Sequence, residues 1–213
     1  MSLIFNNFIN DSNISILVNF PFDLIKAVDS SNIGYIFSNK ELDDLTVEQF
    51  LEKTNVSKEK IIKAMQLVLL PSRLLSVSIS CLTKSERLRL QLAELLLKNV
   101  DILICKDFFE GMIHSEKEYF KRFFRNLIQK QNKKIIVLEN DMNFICETVR
   151  KFYLFTNDGK YRLVDDFYDD EIYKYVKMPN TVELIKHLEQ IGYKIDHEIT
   201  FNETLKAIYR GVQ

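Results

Sequence analysis

The chain has only three histidines and three cysteines, and their spacing matches no common catalytic or metal-binding motif. No G-x-S-x-G, H-E-x-x-H or paired-cysteine motif occurs, and the histidines lack the spacing of metal ligands. The histidines are His114, His187 and His197. We therefore expect each of them to be a surface or satisfied polar residue, and we expect no metal site.

The motif Thr83-Lys84-Ser85-Glu86 opens a leucine-rich segment and fits the T-x-x-E capping box. In such a box the threonine and glutamate side chains satisfy backbone N–H groups at the start of a helix. Apolar residues that recur every three and four positions predict a helix over 83–98. The same spacing predicts two helices within 46–70, split near residues 55–57, and one helix over 115–131.

Near-continuous apolar runs alternate with these helices. They predict strands at 2–9, 14–18, 33–37, 101–105 and 134–139, with a brief helix at 23–28. The order strand, helix, strand around 115–131 indicates a parallel sheet covered by helices. Asn157-Asp158-Gly159 lies between two further apolar runs and predicts an antiparallel hairpin. The tail is predicted to be helical.

The composition is that of an ordered globular protein with one substantial core, since 46% of its 213 residues are hydrophobic and 28% are charged. A formal net charge of -1 gives no global reason to expect nucleic acid or an anionic membrane as a partner. A basic stretch at 117–134 and an acidic run at 165–171 are interpreted as solvated faces.

Three cysteines without C-x-x-C spacing fit a reducing cytosol; they are Cys81, Cys105 and Cys146. No apolar run approaches the ~18 residues that a membrane span needs, and the N-terminus lacks the pattern of a signal peptide. We therefore expect a cytoplasmic chain that reaches the inner face of a membrane only through a partner.

Residues 82–104 resemble the signature-to-Walker-B stretch of ATP-binding-cassette (ABC) ATPases, which reads LSGGQ-x-x-R-x-x-x-A-x-x-L before an apolar strand. Arg89, Ala93 and Leu96 fall in register with that pattern. Residues 33–41 are similar to the Q-loop segment, and 134–142 to the strand and switch that normally end in His-Asp. The tail from Met178 resembles the C-terminal extension of energy-coupling-factor ATPases. The resemblance covers most of residues 33–210 and rests on register and order, because no single motif is intact.

This resemblance implies a P-loop-NTPase-like α/β fold with a mostly parallel sheet flanked by helices. It implies an ABC ATPase-like domain over residues 1–164 with a truncated N-terminal antiparallel part. Within this domain a helical subdomain would cover about 46–98, and a helical C-terminal extension would cover 165–213.

The family's phosphate-binding loop is missing from the place where it belongs. Between Ile14 and Ile33 the turn reads Asn19-Phe20-Pro21-Phe22-Asp23, with no glycine or lysine and with a proline that removes a backbone donor. A working loop needs glycines whose N–H groups wrap the phosphates, together with a lysine and a hydroxyl.

The register places Lys106 at the Walker B aspartate and Asp107 at the catalytic glutamate, which are degenerate candidate catalytic positions. A lysine there should repel Mg²⁺. The Asp107 carboxylate is one carbon shorter than glutamate and is more readily interpreted as a turn or cap residue. Asn140 stands at the switch histidine, where its amide could donate a hydrogen bond but could not shuttle a proton.

The degenerate candidate nucleotide-binding positions are Ser38, Thr83, Lys84, Ser85 and Glu86. Ser38 replaces the Q-loop glutamine, while Lys84 and Ser85 replace the signature glycines. In the family the signature helix faces the γ-phosphate of ATP held by the partner subunit, and Glu86 would set a negative charge there.

Three functions stay open at this point. The first is a non-catalytic subunit that pairs with an ABC ATPase or with a transporter membrane protein. The second is an ATP-binding subunit that contributes Lys84 and Asp107 to a composite site. The third is a stand-alone regulatory protein that pairs with itself. No cofactor is expected of the chain alone, and ATP and Mg²⁺ are expected only with a partner subunit.

Overall fold

The computed structural model describes residues 15–23, 32–40 and 44–211 of the chain. The strand predicted at 2–9 therefore lies outside the described residues, together with the truncated antiparallel part that the resemblance implied. The helix predicted at 23–28 lies almost entirely outside them as well, since only Phe22 and Asp23 are described and both are helical.

The described chain contains six strands and seven α-helices. The strands are β1 (Ser15–Val18), β2 (Ile33–Ile36), β3 (Ile102–Lys106), β4 (Lys134–Leu138), β5 (Phe152–Phe155) and β6 (Tyr161–Val164). The helices are α1 (Val47–Glu52), α2 (Lys58–Leu67), α3 (Lys84–Lys98), α4 (His114–Gln131), α5 (Met142–Cys146), α6 (Asn180–Gln190) and α7 (Phe201–Gly211). Within the described residues the chain forms two compact units, unit 1 (22–137) and unit 2 (15–21 and 138–211).

Unit 1 is built around strands that lie in the order β2, β3, β4. β2 and β3 are parallel, with Ile33 opposite Ile102 and Ile36 opposite Cys105. The central residues of β3 are buried, as expected for a strand covered on both faces. The strands and the helix predicted between residues 101 and 139 are confirmed to within two residues.

The two helices predicted within 46–70 are confirmed as α1 and α2, and each begins where a local signal places it. Thr46 and Gln49 form a capping box at the start of α1. Ser57 precedes α2, and Pro71 lies just beyond its end. Val47, Leu51, Ile61 and Met65 are buried and attach the two helices to the core.

An aromatic cluster packs the inner face of α4 in unit 1. Phe108 meets Phe120 and Phe124 with ring centroids 5.1 and 5.2 Å apart. All three rings are almost fully buried. Phe120 and Phe124 are thus core residues of unit 1, whereas Tyr119 and Phe123 on the same helix are only half-buried.

Unit 2 holds β1, β5 and β6. β1 is parallel to β5, and β5 and β6 form the predicted antiparallel hairpin. Gly159 in its turn has φ +76°, the left-handed conformation that glycine adopts without steric cost. The hairpin prediction is therefore confirmed.

The tail of unit 2 forms α6 and α7, as the apolar spacing predicted. Ile185, Ile195 and Ala207 make a small buried cluster between them. The domain boundary predicted between residues 164 and 165 stays a prediction. The fold class is confirmed, because the chain has a mixed α/β fold with a mostly parallel sheet flanked by helices.

Candidate functional site

The start of α3 carries the capping box that the sequence predicted. The Glu86 carboxylate accepts hydrogen bonds from the Thr83 backbone N–H at 2.8 Å and from its hydroxyl at 2.9 Å. The Glu86 N–H donates in turn to the Thr83 hydroxyl at 3.2 Å. The bond from the Thr83 N–H is the main reason that the pKa of Glu86 lies below its ordinary value of 4.5. A carboxylate of this chain therefore occupies the N-terminus of α3.

Lys84 and Ser85 complete the first turn of α3. The Lys84 ammonium pairs with Glu110 at 2.5 Å, but both side chains are half-exposed, so the pair contributes little to stability. The Ser85 hydroxyl is buried and has no hydrogen-bond partner among the described residues. A side chain on Gly111 would lie 4.0 Å from the Ser85 Cβ, so the turn after β3 passes close to α3.

Lys106 and Asp107 lie where β3 ends. The Lys106 ammonium sits over the ring of Phe22 at 5.2 Å from its centroid, an attractive cation–π contact. Asp107 has φ +54°, and its carbonyl accepts from the Glu110 N–H at 3.1 Å. Asp107 thus has turn geometry. Burial raises the pKa of its carboxyl and Glu110 adds to the rise, whereas Lys106 and Lys84 oppose it.

Ser38 lies in the turn after β2, where its hydroxyl is 3.5 Å from the Asn39 amide oxygen. The neighbouring structure depends on Gln91, a residue that the sequence interpretation missed. The Gln91 amide accepts from the Phe37 N–H and donates to the Phe37 carbonyl, both at 3.1 Å. One signal could have found it, since Gln91 stands between two leucines on the buried side of a helix.

Asn140 lies in unit 2, beside the turn that follows β1. Its amide oxygen accepts from the Asn19 backbone N–H at 2.9 Å, whereas the sequence suggested a role as donor. Asn19 has φ +56°, and its amide nitrogen donates to the Tyr175 carbonyl at 2.9 Å. The residue at the switch position thus closes a turn of its own unit.

The structure brings six of the predicted positions into unit 1 around two element ends. These are Thr83, Lys84, Ser85 and Glu86 at the start of α3, and Lys106 and Asp107 at the end of β3. Lys84 and Lys106 both act electrostatically on the Asp107 carboxyl, so the two groups of residues form one charged surface.

Two features at the start of α3 and the end of β3 bear on the binding of a phosphate or of Mg²⁺. A helix N-terminus attracts phosphate through its free N–H groups, but at α3 the Glu86 carboxylate already accepts from the first of them. A cation, Lys106, stands at the position that the resemblance assigns to a Mg²⁺-binding acid. In the part of the chain that the structure describes, no three His, Cys, Asp or Glu side chains cluster as metal ligands.

Comparisons with known proteins point to one group of relatives, although no family model matches. The chain is 25% identical over 184 residues to the energy-coupling factor transporter ATP-binding protein EcfA3 of Oenococcus oeni. That similarity covers 79% of this chain and 63% of the relative, so the chain spans less than two thirds of the relative's length.

Solved structures share the fold. CbiO1 of Clostridium perfringens, described as part of the ABC transporter complex cbiONQ, matches 85% of this chain and 86% of its own. Its TM-score is 0.60 at 12% identity. The bacterial ABC transporter cassette MJ0796 matches with a TM-score of 0.61 at 14% identity, over 74% of this chain and 87% of its own. Among the described residues no helix is both long and apolar enough to cross a membrane.

Proposed function

The chain resembles the ABC ATPase family in sequence and in fold, and from this premise we propose that it is a non-catalytic subunit of a transporter ATPase complex. It would pair with an active ATPase or with the membrane protein of an energy-coupling-factor-type transporter. Its scaffold would serve assembly, and the partner would supply the nucleotide chemistry.

The capping box of α3 is the observation that carries this proposal. Glu86 accepts hydrogen bonds from both the N–H and the hydroxyl of Thr83. In the family this helix end faces the γ-phosphate of the partner's ATP, and a fixed carboxylate there would repel that phosphate. Removing one electrostatic group of a catalytic site can cost roughly 10²- to 10³-fold in rate.

Two further features support the same conclusion. The Lys106 ammonium lies over the Phe22 ring, so the position of a metal-binding acid holds a cation packed on an aromatic side chain. The sequence between Asn19 and Asp23 offers no glycine or lysine for a phosphate. The phosphate loop, metal position and signature therefore all differ from what hydrolysis requires.

Calorimetric titration of the purified chain with Mg·ATP tests the proposal, with an ordinary ABC ATPase titrated beside it as control. We expect no saturable heat at millimolar nucleotide for this chain and saturable heat for the control. Saturable binding by this chain would reveal a phosphate site in it, and the proposal would then fail.

A composite ATP site shared with an active partner is the second candidate, because Lys84 and Asp107 are accessible for it. The Lys84 pair with Glu110 is exposed and opens at little cost. The Asp107 carboxylate has no hydrogen bond or ion pair among the described residues. In a reconstituted complex, unchanged ATP turnover after Lys84→Ala and Asp107→Ala together would remove this candidate.

A further inference from the structure

A groove of about 320 Å³ lies between α2 and α4 in unit 1. Lys63, Gln66, Leu67 and Tyr119 line it. The Tyr119 hydroxyl donates to the Leu67 carbonyl at 2.8 Å and ties the two helices together across it. The Leu67 side chain is 48% exposed in the groove, so its apolar surface faces solvent.

Two more exposed apolar residues, Leu69 and Ile113, lie beside this groove. The backbone of each is hydrogen-bonded to one member of the same ion pair. Arg89 contacts Glu116 at 3.1 Å and donates to the Leu69 carbonyl at 3.2 Å. The other oxygen of Glu116 accepts from the Ile113 N–H at 3.2 Å. Tyr119 follows Glu116 by one helical turn. We term the exposed residues Leu67, Leu69 and Ile113, together with the half-buried Tyr119, the α2–α4 face.

Both flanking residues are of a type that the local structure disfavours. Leu69 has φ +57° just after α2, where glycine is the usual residue because other side chains are strained in this conformation. Ile113 precedes α4 at the position where Ser, Thr, Asp or Asn normally caps a helix. Their side chains are nevertheless 37% and 66% exposed, so core packing does not explain them. An apolar contact with a partner would explain both residues.

The charges at the α2–α4 face select the chemistry of that contact. Lys63 and Arg122 flank Tyr119 on the two helices, and neither has an ion pair with a described residue. The nearby acids are engaged, Glu116 in the pair with Arg89 and Glu118 with Lys121 at 2.8 Å. The Glu59 carboxylate interacts electrostatically with Lys63 but forms no ion pair with it, so both cations can still pair with carboxylates at the edge of an apolar surface.

We propose that the α2–α4 face binds an amphipathic helix of a partner protein whose apolar side chains are flanked by Asp or Glu. Apolar side chains of that helix would contact Leu67, Leu69 and Ile113, and its carboxylates would pair with Lys63 and Arg122. This deepens the proposed function by naming a surface for the partner. It uses none of the residues tested by ATP binding, so the two proposals can fail separately.

Selection from a displayed library tests this, with the full chain as target. Library members are amphipathic helices of about 16 residues with a fixed leucine face and a polar face varied among Glu, Lys, Gln and Ser. We expect the enriched helices to be rich in Glu. We expect Lys63→Glu with Arg122→Glu to reverse that preference towards Lys.

Leu69→Gly and Leu67→Ser should each weaken the selected helices about tenfold or more, as the loss of an anchoring side chain does. Leu69→Gly also relieves the strained backbone. The midpoint of its thermal unfolding should therefore be at least as high as that of Leu67→Ser. Leu184→Ser in unit 2 is the matched control, since Leu184 is 42% exposed, and it should change nothing.

Four results would overturn the proposal. One is enrichment of helices without acidic residues, and a second is helix binding that survives both leucine substitutions. Another is a dimer in sedimentation that Leu67→Ser converts to monomer, because the occupant would then be a second copy. The last is binding to phosphatidylserine vesicles that the same substitution abolishes, because the surface would then meet lipid.

Discussion

Glu86 both caps α3 and places a negative charge at its N-terminus. Its carboxylate accepts hydrogen bonds from the Thr83 N–H and from the Thr83 hydroxyl, so a negative charge of the chain itself lies at the start of α3. A glutamine in the same place could make the same bonds without the charge. At the scale of the residue, a glutamate rather than a glutamine at position 86 therefore changes the charge at the start of α3 and not its hydrogen bonds.

The pH dependence of stability should report this carboxylate. The folded pKa of Glu86 is lowered, chiefly by the Thr83 N–H, so its contribution is present above the unfolded pKa and is lost as pH falls through the folded value. Between about pH 7 and pH 3 the wild-type chain should therefore lose more stability than Glu86→Gln. Urea unfolding followed by circular dichroism measures the difference.

Thr83→Ala serves as the companion variant, and we expect it to cost about 1 kcal/mol at neutral pH through loss of the cap. Thr83→Ser keeps the hydroxyl and should cost much less. Equal acid sensitivity of the wild-type chain and Glu86→Gln would mean that the carboxylate does not cap α3 in solution.

At the scale of elements, the packing of α3 on β2 depends on a glycine. A Cβ added to Gly34 would lie 2.6 Å from the Leu95 Cδ1, closer than atoms in a folded core approach. Leu95 is itself buried, so it has little room to move away. Gly34 therefore lets the helix lie directly on the strand that precedes Ser38.

Gly34→Ala should destabilise the chain by about 1–3 kcal/mol through overpacking. Leu95→Ala in the same chain should recover part of this loss, because it removes the atoms that the new methyl group meets. Thermal or urea unfolding of both single variants and the double variant gives the coupling between them. Strict additivity would show that the two side chains do not meet.

At the scale of the whole molecule, the candidate positions at two element ends have to be considered together with the turn after β1. The start of α3 carries Lys84, Ser85 and Glu86, and the end of β3 carries Lys106. Replacing these residues with those of the ABC ATPase pattern would still leave the turn after β1 without a glycine or lysine. Phosphate binding needs that loop, because backbone N–H groups and a lysine must surround the phosphates.

We therefore expect that Lys84→Gly, Ser85→Gly, Glu86→Gln and Lys106→Asp, combined in one chain, do not produce ATP hydrolysis. Phosphate release assayed with Mg·ATP checks this, and circular dichroism confirms that the combined variant is folded. Turnover above the wild-type background would show that a phosphate site exists elsewhere in the chain, and the argument from the missing phosphate loop would fail.

Local signals were enough to predict most elements. The Thr83 capping box, the apolar spacing of α4 and the Asn157-Asp158-Gly159 turn each depend on residues close together in the chain, so their patterns are visible in sequence. The order of these elements also followed from the sequence.

Only the tertiary structure decided which distant groups meet. Gln91 binds the Phe37 backbone across 54 residues, and Asn140 binds Asn19 across 121. Lys106 lies over Phe22. No periodicity encodes such pairs, because they depend on how separate elements pack and on which buried polar group lacks a partner. The sequence by itself determined what each position can offer, and the packing determined what each position contacts.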